Sequence, residues 1–398
     1  MRVLFVNNQH RGIGGSDSAC NTLIRICRER GLEVGIFARD SKSLPPGLKG
    51  KAQAFFGGIY ARSAVREFDL LLRSFRPEVV HVHELFPLIS PWILPRCTAV
   101  GVPVVMTCYD FRITCPIATH YTKGKICTRC MGGREYQTLL NNCRNSLPES
   151  LAYGLRNAVA RHFRLFTDHI TRFIVFTEFS RRWLSDKAGI TTDRIATIPV
   201  IVPAPAAGVQ DPSHGQYVAY AGRFVPEKGV EILAEACRKA GLPLRLAGDK
   251  LSHPAIQPDD DAICVETKAP GSLANFYRGA RVLVVPSLWE ETFATVLSEA
   301  KSHGITVMAS RIGAMPDLIE DQVTGLLFDT GNVDDLIEKL RRVWNDPNLC
   351  RRLGEAGRRD VQNNLNENVC MEQLFTVYRD IIAKERSWAE KAIMGESS

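Results

Sequence analysis

The chain has 398 residues, 45% of them hydrophobic and 23% charged, a balance typical of globular proteins with length for two domains. No apolar run reaches the roughly 18 residues that would span a bilayer. The opening Met1-Arg-Val-Leu-Phe-Val-Asn7 is too short for a signal segment, so a cytoplasmic protein is expected.

The net charge of +7 is unevenly spread. Residues 1–200 hold 28 Lys/Arg against 15 Asp/Glu, whereas residues 201–398 hold 22 against 28. A basic first half is expected to meet something anionic. The absence of an aromatic-interleaved basic motif or a known reader module counts against nucleic acid. Anionic lipid headgroups or a lipid pyrophosphate fit the charge, and so does a peripheral position on the inner face of a membrane.

Strand-like and helix-like segments alternate along the chain, the pattern of an α/β protein with parallel sheets. The first half offers strands at Arg2–Asn7, Glu33–Arg39, Glu78–Val82, Val102–Cys108 and Arg172–Thr177, with helical patterns at Ser16–Arg30 and Ala61–Phe75. Pro199–Gly215 is rich in Pro, Ala and Gly without periodicity and reads as a linker. A second series follows at Tyr217–Arg223, Leu244–Ala247, Ile263–Glu266, Val282–Pro286 and Ile305–Ser310, and helical patterns close the chain at Asp334–Trp344, Pro347–Val361 and Glu367–Lys391.

Five places carry chemistry. Gly12-Ile-Gly14-Gly15-Ser16-Asp17 follows the first strand and opens a helix. Asp17 stands where a dinucleotide fingerprint would need a third glycine. His81-Val-His83-Glu84 ends a strand with both imidazoles on one face; a metal would need a third ligand that is not evident, which leaves a structural role or an acceptor contact. Cys108-Tyr109-Asp110 ends the next strand. Gly222-Arg223-Phe-Val-Pro-Glu-Lys228-Gly229 again joins a strand to a helix. Ser287-Leu-Trp-Glu-Glu291-Thr-Phe-Ala-Thr-Val-Leu-Ser-Glu299 follows a β-branched run and places two carboxylates eight residues apart around a helix start. Backbone N–H groups and the macrodipole favour an anion there. A phosphate site with a carboxylate ahead of it and another within the helix suits a nucleotide-sugar. The pair is badly placed for glycoside hydrolysis, which needs carboxyls about 5 or about 6.5–9.5 Å apart; eight helical residues span about 12 Å.

Cys115-x11-Cys127-x2-Cys130-x12-Cys143 interrupts the α/β rhythm with the spacing of a structural zinc site. A reducing compartment argues against disulfides, and unliganded thiols remain the alternative. Leu151–Phe166, with Arg156, Arg161 and Arg164, reads either as a basic amphipathic helix on a membrane surface or as a packed helix with a solvated face.

These residues resemble the retaining GT-B glycosyltransferases of family 4, and the resemblance covers nearly the whole chain. The subset it most resembles shares the four-cysteine insertion, including Cys115-Pro and Cys130-x-Gly-Gly-Arg134. It implies two Rossmann-like domains facing a donor cleft: residues 1–203 on the acceptor side with an insertion at about 111–149, residues 204–375 for the nucleotide-sugar, and residues 376–398 as a helix returning to the first domain. By the same resemblance Glu291 takes the donor sugar, the Phe293–Ala294–Thr295 backbone and Gly15 approach the phosphates, and Glu299 takes the ribose. Arg223 and Lys228 clamp the diphosphate, so no catalytic metal is implied. Tyr109 stands where many relatives have a His beside the reacting carbon, and Asp110 and His83 face the acceptor. Thr292 and Ala294 replace glycines common in the family; Ala294 still allows close backbone approach, while Thr292 narrows the sugar pocket.

The expected activity is transfer from a UDP- or GDP-sugar to a lipid-linked or other glycan acceptor in cell-surface polysaccharide assembly. A soluble small-molecule acceptor is the alternative within enzymes, and a non-catalytic nucleotide-sugar-binding protein the alternative outside them. Membrane co-purification separates the first pair, and donor turnover decides the second.

Overall fold

A computed structural model describes residues 1–10, 15–205, 208–248, 262–265 and 272–393. Its strands are β1 (Arg2–Gln9), β2 (Glu33–Asp40), β3 (Val79–Glu84), β4 (Val104–Thr107), the hairpin β5 (Tyr121–Thr122) and β6 (Lys125–Ile126), then β7 (Arg172–Val175) and β8 (Ile195–Thr197). The second half adds β9 (Tyr217–Ala221), β10 (Leu244–Ala247), β11 (Ala262–Val265), β12 (Ala280–Val285), β13 (Thr306–Ser310) and β14 (Leu326–Phe328).

Two six-stranded sheets result, with orders β2-β1-β3-β4-β7-β8 and β11-β10-β9-β12-β13-β14. Every described pairing within them is parallel. Parallel sheets covered by helices on both faces need strands that are apolar on both sides. That is why β3, β4, β9 and β13 are buried at every position and read as continuous apolar runs rather than alternations. The α/β expectation therefore holds, in two units of the same design.

The strand orders place the functional region. In each sheet the chain starts in the middle and winds both ways, so crossovers diverge between β1 and β3 and again between β9 and β12. Ligands in open α/β sheets sit beyond the carboxyl ends of strands at such switch points. Those ends carry His10 and Glu84 in one sheet and Gly222 and Ser287 in the other.

Several elements escaped the sequence reading. Helix Gly47–Tyr60 has glycines at 47, 50, 57 and 58, which hide its periodicity. Close packing requires two of them: a Cβ on Gly50 would lie 1.8 Å from the Pro45 carbonyl oxygen, and one on Gly57 would lie 2.8 Å from that of Pro87. Strands β8 and β14 have three residues each, too few for a pattern. Of the expected strand Ile263–Glu266, Glu266 lies outside the described residues, as do 206–207 of the linker and Gly12 and Gly14 of the first glycine loop.

Helix Glu367–Ile393 lies on the first sheet, where Cys370, Met371, Leu374, Tyr378 and Ile381 join the core built on Val3, Phe5 and Val105. The contact is polar as well as apolar. Tyr378 OH lies 2.6 Å from Nδ1 of buried His81, whose Nε2 lies 2.8 Å from Thr107 Oγ1. Both imidazole nitrogens thus have partners, as a fully buried ring requires.

Candidate active site

A cleft of about 590 Å³ opens between the two switch points and is lined from both halves of the chain. Two helices begin at it, Gly15–Glu29 and Thr295–Ser302. A Cβ on Gly15 would lie only 3.8 Å from Thr295 Oγ1, so the helix starts meet across the cleft and any side chain at 15 would enter it. Ala294 caps the second helix without a side-chain bond. The amides of Thr295 and Val296 have no carbonyl partner among the described residues. Unsatisfied first-turn N–H groups in a cleft form an anion site.

Glu291 lines the cleft four residues before this helix start and is 7% exposed. Its Oε1 accepts from Lys228 Nζ at 2.7 Å and from Ser287 Oγ at 2.5 Å. Backbone packing brings Lys228 there. Leu288 N donates to Glu227 O at 2.8 Å, and Gly229, at φ +66°, passes so close to Pro286 that a Cβ would fall 2.0 Å from its oxygen. Gly313 supports Glu291 from behind. It adopts φ +57°, and a Cβ there would fall 2.6 Å from Glu291 N, a place only glycine can occupy.

Arg223 is exposed at the cleft and has no ion-pair partner among the described residues, so its guanidinium is available to a ligand. Phe293, Ala294 and Thr295 form the loop and helix start. Glu299 lies within that helix, where its Oε2 accepts from Tyr277 OH at 2.8 Å. Burial raises its pKa and the Tyr277 hydrogen bond partly offsets that. Trp289 also lines the cleft, with Lys228 Nζ 5.5 Å from its ring centre.

On the opposite wall Tyr109 lines the cleft, and its OH lies 2.7 Å from Nδ1 of His83. Burial raises the Tyr109 phenol well above its usual range and lowers His83 to about 3, so both are neutral near pH 7. His83 is 1% exposed and lies behind Tyr109, reaching the cleft through it. Asp110 lines the cleft but is engaged. Its Oδ1 accepts from Arg112 Nε at 2.8 Å and from Arg112 N at 3.0 Å, and Oδ2 takes a further bond from the guanidinium. Burial alone would raise its pKa, yet the charge and hydrogen bonds of Arg112 bring it below the ordinary carboxylate value. Arg112 also binds buried Glu84, and Glu84 holds His10 in turn and raises the His10 pKa.

The sequence reading missed Ser287, Tyr277, Gly313, Arg112 and His10. Ser287 stood four residues before Glu291 in the same motif and could have been found as a short-range partner. Tyr277 and Gly313 come from separate elements and left no local signal.

The four insertion cysteines do not form the expected zinc site. Among the described residues no group of three or more His, Cys, Asp or Glu side chains is arranged to hold a metal ion, and all four thiols are free. Cys115 packs into the core around Phe111, while Cys130 Sγ lies 3.3 Å from Thr138 Oγ1. Their spacing counted residues but not directions. The four thiols stay within electrostatic reach of one another, since, besides burial, Cys115, Cys127 and Cys143 all raise the Cys130 pKa, but they are not arranged around a common ion. The insertion instead borders the cleft through Ala118, while buried His120 behind it stacks on Phe111 at 4.7 Å and places Nδ1 3.9 Å from Glu290 Oε2.

With this geometry in hand, likeness to other proteins can be placed. Residues 14–200 match the glycosyl transferase 4-like domain and residues 209–360 match glycosyl transferases group 1. The first half of the chain thus matches one glycosyl transferase domain family and the second half another, in a two-domain GT-B fold. It is 30% identical over 168 residues to an uncharacterized glycosyltransferase of Methanocaldococcus jannaschii, covering 41% of this chain and 47% of that protein. It is 30% identical over 207 residues to the D-inositol 3-phosphate glycosyltransferase of Saccharomonospora viridis, covering 47% and 48%. The chain thus spans about half the length of these curated relatives. Among solved structures, sucrose-phosphate synthase from Thermosynechococcus elongatus superposes with a TM-score of 0.72 at 18% identity, covering 96% of this chain and 99% of that one. Anabaena HepE in complex with UDP and glucose gives 0.65 at 14% identity, covering 96% and 100%. At these identities the likeness is one of fold.

The buried imidazoles make stability depend on pH. His83 and His120, the latter 3% exposed, are lowered to about 3 and about 4 by burial, and His81 is lowered as well. An unfolded chain takes up these protons near pH 6.5, but the folded chain does not, so stability falls as pH drops from about 6.5 toward 4. Each histidine contributes up to about 1.4 kcal/mol per pH unit in that window. Urea unfolding of His120→Gln, which keeps a polar group toward Thr114, should show a shallower loss between about pH 5.5 and 4.5 than the unaltered chain. Equal slopes would contradict the burial of a neutral His120.

Proposed function

We propose that this protein is a retaining, metal-independent glycosyltransferase that moves a sugar from a UDP- or GDP-sugar to a lipid-linked or other glycan acceptor in cell-surface polysaccharide assembly. The carrying observation is the meeting of two helix starts at one cleft, with Arg223, Lys228 and Glu291 around it. A diphosphate lies at the Phe293–Ala294–Thr295 backbone, facing Gly15, with the donor sugar toward Glu291 and the ribose toward Glu299. As the bond from the anomeric carbon to phosphate oxygen breaks, negative charge grows on that oxygen. Arg223, Lys228 and the free amides stabilise it in place of a metal.

The acceptor hydroxyl bonds to the anomeric carbon on the face the phosphate leaves. Its proton passes to the departing phosphate oxygen, and nucleoside diphosphate is released. Asp110 is a poor base because Arg112 holds it ionised. Tyr109, neutral and anchored on His83, serves as a hydrogen-bonding partner on the acceptor side. Glu291→Gln should cut turnover by at least about tenfold, roughly 1.4 kcal/mol. Binding of UDP or GDP should be nearly unchanged, and activity should survive EDTA. Unchanged turnover in the folded variant, or a strict need for added Mg²⁺ or Mn²⁺, would overturn these assignments.

A lipid-linked acceptor implies a membrane partner, and one face of the first domain suits it. Leu147, Leu151 and Leu155 recur every fourth residue along helix Leu147–His162, and all are exposed. Helices Gly47–Tyr60 and Gln137–Leu140 pack beside it and add Leu48, Phe56 and Leu140, which are 85%, 67% and 69% exposed. Exposed Lys49 and Lys51 lie on one of these helices, Arg129 bonds Asn141 at the end of another, and Arg144 precedes the third. Lys51 and Arg144 both reach Glu149, and the excess of cations matches an anionic interface. No helix among the described residues is long and apolar enough to cross a membrane. The protein should co-sediment with phosphatidylglycerol vesicles and much less with phosphatidylcholine. Leu147→Glu/Leu151→Glu should abolish the difference; retention of binding in that variant would remove this face from the proposal.

A further inference from the structure

Between the carboxylate of Glu291 and the helix start at Thr295 lies one residue that bonds the other half of the molecule three times. Thr292 Oγ1 donates to the Tyr109 carbonyl oxygen at 2.7 Å. The Thr292 carbonyl oxygen accepts from Thr177 Oγ1 at 3.2 Å and from Ser180 Oγ at 3.4 Å. A carbonyl oxygen has two lone pairs, so both hydroxyls can be accommodated. Thr177 is itself fixed, since its Oγ1 caps helix Glu178–Ala188 by accepting from Ser180 N. Thr292 is 8% exposed, which keeps water from competing for these bonds.

The partners lie just beyond the carboxyl ends of β4 and β7 in the first sheet, while Thr292 belongs to the loop that follows β12 in the second. Two further contacts join the halves nearby. Phe176 and Phe293 pack with ring centres 5.7 Å apart, and Phe179 N donates to Asp317 Oδ2 at 2.5 Å. Thr292 differs from these in its place on the chain, one peptide bond from Glu291.

We infer that Thr292 is a positioning residue that ties the pose of Glu291 to the docking of the acceptor half. When the halves approach, Tyr109, Thr177 and Ser180 fix the peptide that follows Glu291. When they part, that peptide loses all three anchors at once. The donor sugar is then held for reaction only when the acceptor wall is in place, and water entering a parted cleft meets a misaligned donor. A glycine at 292 keeps the carbonyl anchors but lacks the hydroxyl, so the side chain adds the Tyr109 contact. This role rests on the proposed donor site.

Thr292→Val tests it, because valine keeps the shape and the carbonyl but removes the donor. Small-angle X-ray scattering without ligand should show a larger radius of gyration for the Val variant, with Thr292→Ser restored to the original value. With the UDP- or GDP-sugar that the unaltered protein turns over fastest, transfer kcat should fall about tenfold while UDP or GDP affinity stays within about twofold. Donor hydrolysis should fall together with transfer, and Thr292→Ser should recover both. Ser180→Ala, which removes one anchor without altering the donor loop, should shift scattering and kcat in the same direction by less. Wild-type scattering and transfer in the Val variant would overturn the proposal, as would a Ser variant no better than Val. If no sugar nucleotide is turned over by the unaltered protein, the glycosyltransferase reading fails, and scattering alone decides whether Thr292 ties the halves.

Discussion

Two helices begin on opposite walls of one cleft, and a side chain at Gly15 would reach Thr295. Helix starts carry partial positive charge, about half an elementary charge each, so facing starts repel one another and both attract an anion. Arg223 and Lys228 line the same cleft as Glu84, Asp110, Glu290 and Glu291, so its cations and carboxylates are interleaved. Glu291 accepts from Lys228 within the protein. In the proposed reaction a diphosphate between the helix starts would take the remaining contacts from Arg223 and the free amides. The interdomain bonds at Thr292 then have a physical purpose: they hold together two walls whose dipoles oppose closure.

The scaffold around the cleft is rigid where chemistry requires it. Gly229 and Gly313 press the Lys228 and Glu291 loops against their neighbours at distances no larger residue permits. On the acceptor wall Arg112 lies between Asp110 and Glu84 and fixes both carboxylates. That network argues against proton abstraction by Asp110, in keeping with the proposed reaction in which the departing phosphate takes the proton. Tyr109 and His83 form a neutral pair beside it, suited to orienting a hydroxyl rather than carrying charge.

Parallel strands buried on both faces appear in sequence as unbroken apolar runs, which made β3, β9 and β12 legible and with them the α/β class. Arg223, Lys228, Glu291 and Glu299 stood out because each follows a strand or opens a helix. The pairing of Lys228 with Glu291 across 63 residues did not, since it depends on how two loops pack. Tyr277 reaches Glu299 from another helix, and Gly313 matters only through the backbone beside it. The cysteines show the opposite failure. Their spacing was regular and the thiols do lie near one another, but spacing constrains chain length and not the direction of a thiol, and the four are not arranged around one ion. Thr292 stood out only as a departure from glycine, and its three partners come from two different strand ends.

The most direct test of a cleft built for a nucleoside diphosphate linked to a sugar is ligand-dependent thermal stability. A panel of UDP, GDP and their sugars would be titrated against the protein and against Lys228→Ala and Arg223→Ala. One nucleotide series should raise the melting temperature with concentration, reaching about 2.7 kcal/mol of added stability at a hundredfold excess over Kd. The gain should shrink in both variants. A panel in which no nucleotide stabilises the protein, or in which the gain is undiminished in either variant, would contradict the account.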